Sequence, residues 1–259
     1  MRTPLITLLS GVLASLLFAG TASAVPTEQV RPVPKGKTAL VANPIYKSGK
    51  LEPDPCPEQP AYDNDLESAE AYLNAVLDCL NEGWGYQFSK VELPFSKPRF
   101  SVTSRLGVPT GCGKFPRGAQ AVYCPVNKKI TFYLSKGILS QASELFLFQV
   151  LAHEYGHHVQ QLSGIMTAFN SRKYKNAKAV LPELRKIELQ AECLSGAFLG
   201  SVWRSLDRRE SDFRYVLNAA YSTATHGTAK NIAYWLTRGF QQDSPGACNT
   251  FTAPRSRVS

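Results

Sequence analysis

Three of the chain's four histidines, His153, His157 and His158, fall within six residues, and no other feature constrains the fold as strongly. Neither core packing nor solvation gives a reason to concentrate them. They lie in the clearest helical pattern of the sequence, where Leu145, Phe146, Phe148, Val150 and Leu151 lead into His153 and the periodicity continues to about Leu162. Ser140 or Ser143 can cap the start of this predicted helix, and Gly164 lies beyond its end. At 3.6 residues per turn, His153 and His157 project from one face and are spaced to hold a single zinc ion. The run His153-Glu154-Tyr155-Gly156-His157 fits the spacing H-E-x-x-H. In that pattern the glutamate, one residue round from the first ligand, takes a proton from the water that attacks a carbonyl. His158 is rotated by about 100° from His157. It reads as a polar helix residue or as a donor standing behind the ligands.

A catalytic zinc takes three protein ligands and keeps one position open, so two histidines are one too few. His226 is the only other histidine, and a carboxylate is the natural third ligand. In Ile187-Glu188-Leu189-Gln190-Ala191-Glu192-Cys193, two carboxylates stand one turn apart in an otherwise apolar stretch. This stretch belongs to a second predicted helix that starts near Pro182 and runs towards Trp203. Glu188 is read as the ligand and Glu192 as the acceptor of a ligating histidine's ring N–H, with the two roles exchangeable. The competing reading is a solvated helix face shared with Arg185 and Lys186.

At the other end, Arg2 precedes an apolar run from Leu5 to Phe18 that closes on Ala22-Ser23-Ala24. That is the pattern of a secretory signal over 1–24, and the run is too short for a span of about 20 apolar residues. Secretion places Cys56, Cys79, Cys112, Cys124, Cys193 and Cys248 in an oxidising compartment, where an even count implies up to three bridges. Six cysteines allow fifteen connectivities. The net charge of +9 is spread along the chain without interleaved aromatics, so nucleic acid is not an expected partner, while contact with anionic surfaces such as a cell wall is.

Eight prolines between Val25 and Pro60 predict an extended linker or arm over 25–60. From Asp65, apolar residues at helical spacing predict about four turns, stopping before Gly83 and carrying Cys79 and Leu80 inward. Short β-prone runs at Phe100 to Thr103, Ala121 to Cys124 and Ile130 to Leu134 predict a small antiparallel sheet. Helices over Asp212 to Thr223 and Thr228 to Phe240 flank His226-Gly227. A domain over 61–252 then leaves 253–259 as a tail.

Several blocks resemble, in order, the putative neutral zinc metallopeptidases of bacteria. They are Gly111-Cys112-Gly113, Val122-Tyr123-Cys124-Pro125, Ala152 to Gln160, Glu188 to Cys193, His226-Gly227-Thr228 and Cys248-Asn249-Thr250-Phe251. The resemblance spans about Gly111 to Phe251, leaving Cys56 and Cys79 without a family counterpart. It implies a gluzincin-like site with Glu188 as third ligand and Glu192, where the family usually has Asp, supporting it. It also implies an oxyanion donor from a later helix, for which His226 is the first candidate and Tyr155 and Tyr133 are weaker ones. The pairings expected are Cys112 with Cys124 across a Gly-rich turn, Cys193 with Cys248, and Cys56 with Cys79. Cys193 as a zinc ligand or nucleophile is the less favoured alternative. The strand Ile130 to Leu134 is a candidate to pair with an extended peptide.

Together these readings describe a disulfide-braced α+β protein, mainly helical and zincin-like with a small antiparallel sheet. The expected activity is that of a secreted zinc metallopeptidase acting on peptides or proteins, with Zn2+ on His153, His157 and Glu188 and with Glu154 as general base. The alternative is a secreted zinc-containing binding or scaffold protein that cleaves nothing. It is disfavoured because a structural site is normally closed by four protein ligands.

Overall fold

The computed structural model describes residues 30–52, 55–141 and 143–259; the signal segment 1–24 lies outside them. In chain order the elements are α1 (Gly36–Val41), α2 (Leu66–Ser89), β1 (Arg99–Thr103), β2 (Ala121–Cys124), β3 (Lys129–Tyr133), α3 (Lys136–Leu139), α4 (Glu144–Leu162), α5 (Ile165–Asn170), α6 (Ala177–Val202), α7 (Glu210–Asn218) and α8 (Ala229–Gln242). The fold is α+β and mainly helical. Helix α4 packs between α2 and α6, α6 lies along α8, and the sheet covers the β2 side of α4.

Helix α4 starts where Ser143 Oγ accepts from the Phe146 N–H, which settles the cap in favour of Ser143, since Ser140 ends α3. Both long flanking helices exceed their expected bounds. α2 begins at the Asp65 cap, whose carboxylate accepts from the N–H groups of Glu67 and Ser68, and runs on through Gly83 and Gly85 to Ser89. A Cβ at Gly83 would lie 2.9 Å from the Phe198 ring and one at Gly85 3.2 Å from Phe95. These glycines admit aromatic rings, and that packing outweighs a helix-propensity cost of about 1 kcal/mol each. α6 begins at Ala177, capped by Asn176, so Pro182 sits inside the helix instead of opening it. Its missing N–H forfeits one intrahelical bond in the second turn.

The sheet is mixed, which corrects the expected antiparallel arrangement. Its order is β1-β3-β2; β2 and β3 pair antiparallel, but β1 and β3 run parallel from Arg99 opposite Lys129 to Thr103 opposite Tyr133. The segment 104–120 carries the chain past the place of the neighbouring strand, and the turn after Cys124 brings β3 back between the other two. β3 is therefore central, with both edges bonded, and it cannot add a peptide strand. The strand with the outer edge beside α4 is β2.

The chain is not extended between Gly36 and Lys47. Its prolines leave room for α1 and for a 3-10 turn at Pro44–Lys47, which bury Ala39, Leu40 and Ile45. At the other end, Val258 is buried, the indole N–H of Trp235 donates to Arg257 O and the amide of Asn231 donates to Ser259 O. The six cysteines form Cys56–Cys79, Cys112–Cys124 and Cys193–Cys248, so Cys193 is neither a free thiol nor a metal ligand. No described helix is long and apolar enough to cross a membrane.

Candidate metal centre

Helices α4 and α6 touch backbone to backbone at Gly156, where a Cβ would lie 2.9 Å from Ala191 O and 3.0 Å from Ala191 Cα. With the helices this close, the face of α4 bearing His153 and His157 meets the face of α6 bearing Glu188 and Glu192. Glu188 Oε2 lies 3.4 Å from His153 Nε2 and 3.1 Å from His157 Nε2. The donor atoms of His153, His157 and Glu188 all lie within 4.8 Å of one another.

This donor set fits zinc. Bonds of roughly 2.0–2.1 Å at tetrahedral angles put ligand atoms about 3.3 Å apart, close to the separations found here. Two imidazoles and one carboxylate also leave a corner of the tetrahedron for a non-protein ligand. All three side chains are largely buried, a costly arrangement for ionisable groups that is offset when they are paired or metal-bound. Burial opposes charge on Glu188, yet His157 and His153 hold its carboxyl well below the usual range. Burial likewise opposes charge on His153, but Glu192 and Glu188 raise its pKa well above the ordinary value.

Each of the two ligating histidines has a partner behind it. Glu192 Oε1 approaches His153 Nδ1 at 3.2 Å, as an ion-pair contact without an aligned hydrogen bond, and Glu192 Oε2 accepts from Gln149 Nε2 at 3.1 Å. His157 Nδ1 stands 2.9 Å from Gln160 Oε1. The Gln160 amide donates to Ile187 O and to Gln190 Oε1, and Gln190 donates to Tyr46 Oη and Cys248 O. Sequence reasoning missed Gln149, Gln160 and Gln190. Their only signal was amide side chains recurring in apolar helical stretches, with Gln160 three residues after His157.

His158 faces away from the centre. It is fully buried, its ring nitrogens lie 3.0 Å from Tyr123 Oη and 2.7 Å from Ser96 O, and burial lowers its pKa to about 4. Of the oxyanion candidates, Tyr155 is buried with its hydroxyl donating to Asn81, and Tyr133 packs on Phe115. His226 is the one that reaches the centre: its Nε2 is 3.3 Å from Glu188 Oε2 and its Nδ1 lies 3.0 Å from Thr225 Oγ1 and 3.2 Å from Thr223 Oγ1.

Glu154 is also buried, and burial raises its pKa despite the nearby His157 and His153. It opens onto a cavity of about 420 Å³, together with His153, Glu192, His226 and the residues 118–121 leading into β2. A buried carboxyl with an elevated pKa in a cavity wall, next to three convergent metal donors, can take a proton from water and pass it on.

The family model described as putative neutral zinc metallopeptidase matches residues 56–224. The match includes Cys56 and Cys79, for which the motif resemblance offered no counterpart, and ends before His226 and Cys248. Among curated proteins, the uncharacterized protein YpfJ of Escherichia coli (strain K12) is 29% identical over 208 residues, covering 71% of this chain and 72% of its own. The uncharacterized protein Rv2575 of Mycobacterium tuberculosis (strain ATCC 25618 / H37Rv) is 28% identical over 233 residues, covering 75% and 77%. No solved structure gives a significant match.

Proposed function

Because this chain belongs to the putative neutral zinc metallopeptidase family, we propose that it is a secreted, zinc-dependent hydrolase of peptide bonds. The observation that carries the reading is the convergence of His153, His157 and Glu188 beside a buried Glu154 that opens onto a cavity. His153, His157 and Glu188 would hold the ion, which when bound supplies a Lewis acid that polarises the scissile carbonyl and makes water more acidic. Glu154 takes the proton of the attacking water and returns it to the leaving amine. Its elevated pKa suits both halves of that transfer. The threonine hydroxyls at His226 Nδ1, acting as donors, favour the tautomer with its proton on Nε2. That nitrogen faces the centre and would donate to the oxyanion forming on the substrate. The outer edge of β2, where the Tyr123 N–H meets Glu154, replaces β3 as the place for an extended peptide to align.

Turnover and metal content of the purified protein test this directly. Glu154→Gln keeps one zinc per chain and loses peptide hydrolysis by at least a hundredfold, whereas Glu188→Ala loses the metal and Glu192→Ala only weakens it. Undiminished hydrolysis by Glu154→Gln would overturn the assignment.

One observation favours the non-catalytic alternative. His226 Nε2 is as near to Glu188 Oε2 as the two α4 histidines are; it lies outside the group of donor atoms that converge within 4.8 Å, and a shift towards the ion as a fourth ligand would close the site. Zinc lost from His226→Ala as completely as from His157→Ala would support that closed site; zinc retained with turnover reduced supports the hydrolase.

A further inference from the structure

The cavity beside Glu154 has a composition that bears on what enters it. Phe146 and Val150 of α4, Val216 of α7, Ala220 just after it, and Ile232 and Leu236 of α8 form its apolar wall, and Val216, Ile232 and Leu236 are buried. Among the described residues neither lysine nor arginine lines it, and its charged groups are those of the metal centre, Glu154, Glu192 and the histidines. These carboxylates are already engaged: Glu192 by His153 and Gln149, Glu154 by the backbone N–H of Tyr123. No free carboxylate remains to receive a basic side chain, and no cation to receive an acidic one. At about 420 Å³ the space falls within the range of sites that enclose a small ligand or a large side chain with adjoining backbone.

We infer that this cavity selects the substrate, accepting a large apolar side chain, aromatic or branched aliphatic, on a residue flanking the bond to be cleaved. The inference rests on the peptidase reading and adds the substrate class to it. Selectivity arises because burying apolar surface is favourable, whereas a charged side chain loses its hydration here with no partner to replace it. The small side chain of Ala220 keeps the wall open.

The test uses the zinc-loaded protein and a set of peptides that differ at one position: Phe, Leu, Ala, Lys or Asp on an otherwise constant background. Cleavage is expected at the Phe and Leu peptides with kcat/KM on the order of a hundredfold above the Ala, Lys and Asp peptides. Ala220→Phe narrows the cavity and moves the preference towards Ala. Binding of the same peptides to Glu154→Gln, followed by fluorescence anisotropy, gives the order of affinities without turnover. Cleavage that is indifferent to the varied residue, or that favours Lys or Asp, would overturn the inference and leave the peptidase standing. Binding of the apolar peptides with no cleavage by wild type would overturn the peptidase reading instead.

Discussion

His157 finds no carboxylate behind it; its Nδ1 meets the side-chain carbonyl of Gln160, whose amide is fixed by Ile187 O and Gln190. Partners of this kind hold a metal ligand's ring in place, and losing one typically weakens metal binding by about 10- to 100-fold. Gln160→Leu is expected to weaken zinc binding by that factor, measured by competition with a chromophoric chelator, while Gln160→Glu, which keeps an acceptor facing the ring, recovers most of it. Unchanged affinity in Gln160→Leu would remove Gln160 from the ligand-positioning set. The ligand candidates were legible because each belongs to a residue type that is rare in an apolar helix: two histidines one turn apart, then two carboxylates one turn apart. The glutamines behind them were not, because an amide carries no charge and its role appears only when residues 27 to 30 positions apart, on two different helices, come into contact.

Helix α4 and helix α6 register against each other through a single missing Cβ, at Gly156, which lets the main chain at Ala191 approach. Any side chain there meets backbone, which cannot swing aside, so Gly156→Val is expected to cost about 1–3 kcal/mol through overpacking and to part the His153/His157 face from Glu188. Its melting temperature and zinc content should fall together. Gly137→Ala in α3 is the control, since a Cβ there meets nothing closer than Ser135 Oγ at 3.8 Å. A Gly156→Val protein with normal metal content would show that the helix contact does not set the site. The same physics explains where element boundaries were misread. Apolar periodicity reports a helix's buried face, so the helices themselves were evident, but glycine was taken as a stop at Gly83, where ring packing admits it, and proline as a start at Pro182, which sits in the second turn of α6. Strand direction escaped for a different reason: alternation marks strands without giving their order, and inserting β3 between β1 and β2 is a property of the path from 104 to 120.

Across the whole molecule, the two ends of the described chain close on the centre from opposite directions. From the N-terminal side, Tyr46 accepts from Gln190 and donates to Leu40 O, joining α1 to the amide network behind His157. From the C-terminal side, Cys248 is bonded to Cys193 on α6 and its carbonyl accepts from Gln190. The last residues reach the third part of the site. Ser259 O accepts from the Thr228 N–H and the Asn231 amide, Arg257 O accepts from Trp235, and a Cβ at Gly227 would lie 2.9 Å from Ser259 O. These contacts brace the start of α8 and the turn in which Thr223 and Gly227 exchange backbone hydrogen bonds around His226. Deleting 254–259 removes the burial of Val258 and these acceptors, an expected loss of about 2 kcal/mol or more and a melting temperature lower by roughly 4–8 °C. Because His153, His157 and Glu188 lie on α4 and α6, the shortened protein should keep its zinc while peptide turnover falls as the His226 turn loosens. Metal content and kcat measured on the same preparation separate the two effects. If zinc is lost along with turnover, the tail supports the metal helices themselves and not only the turn that carries His226.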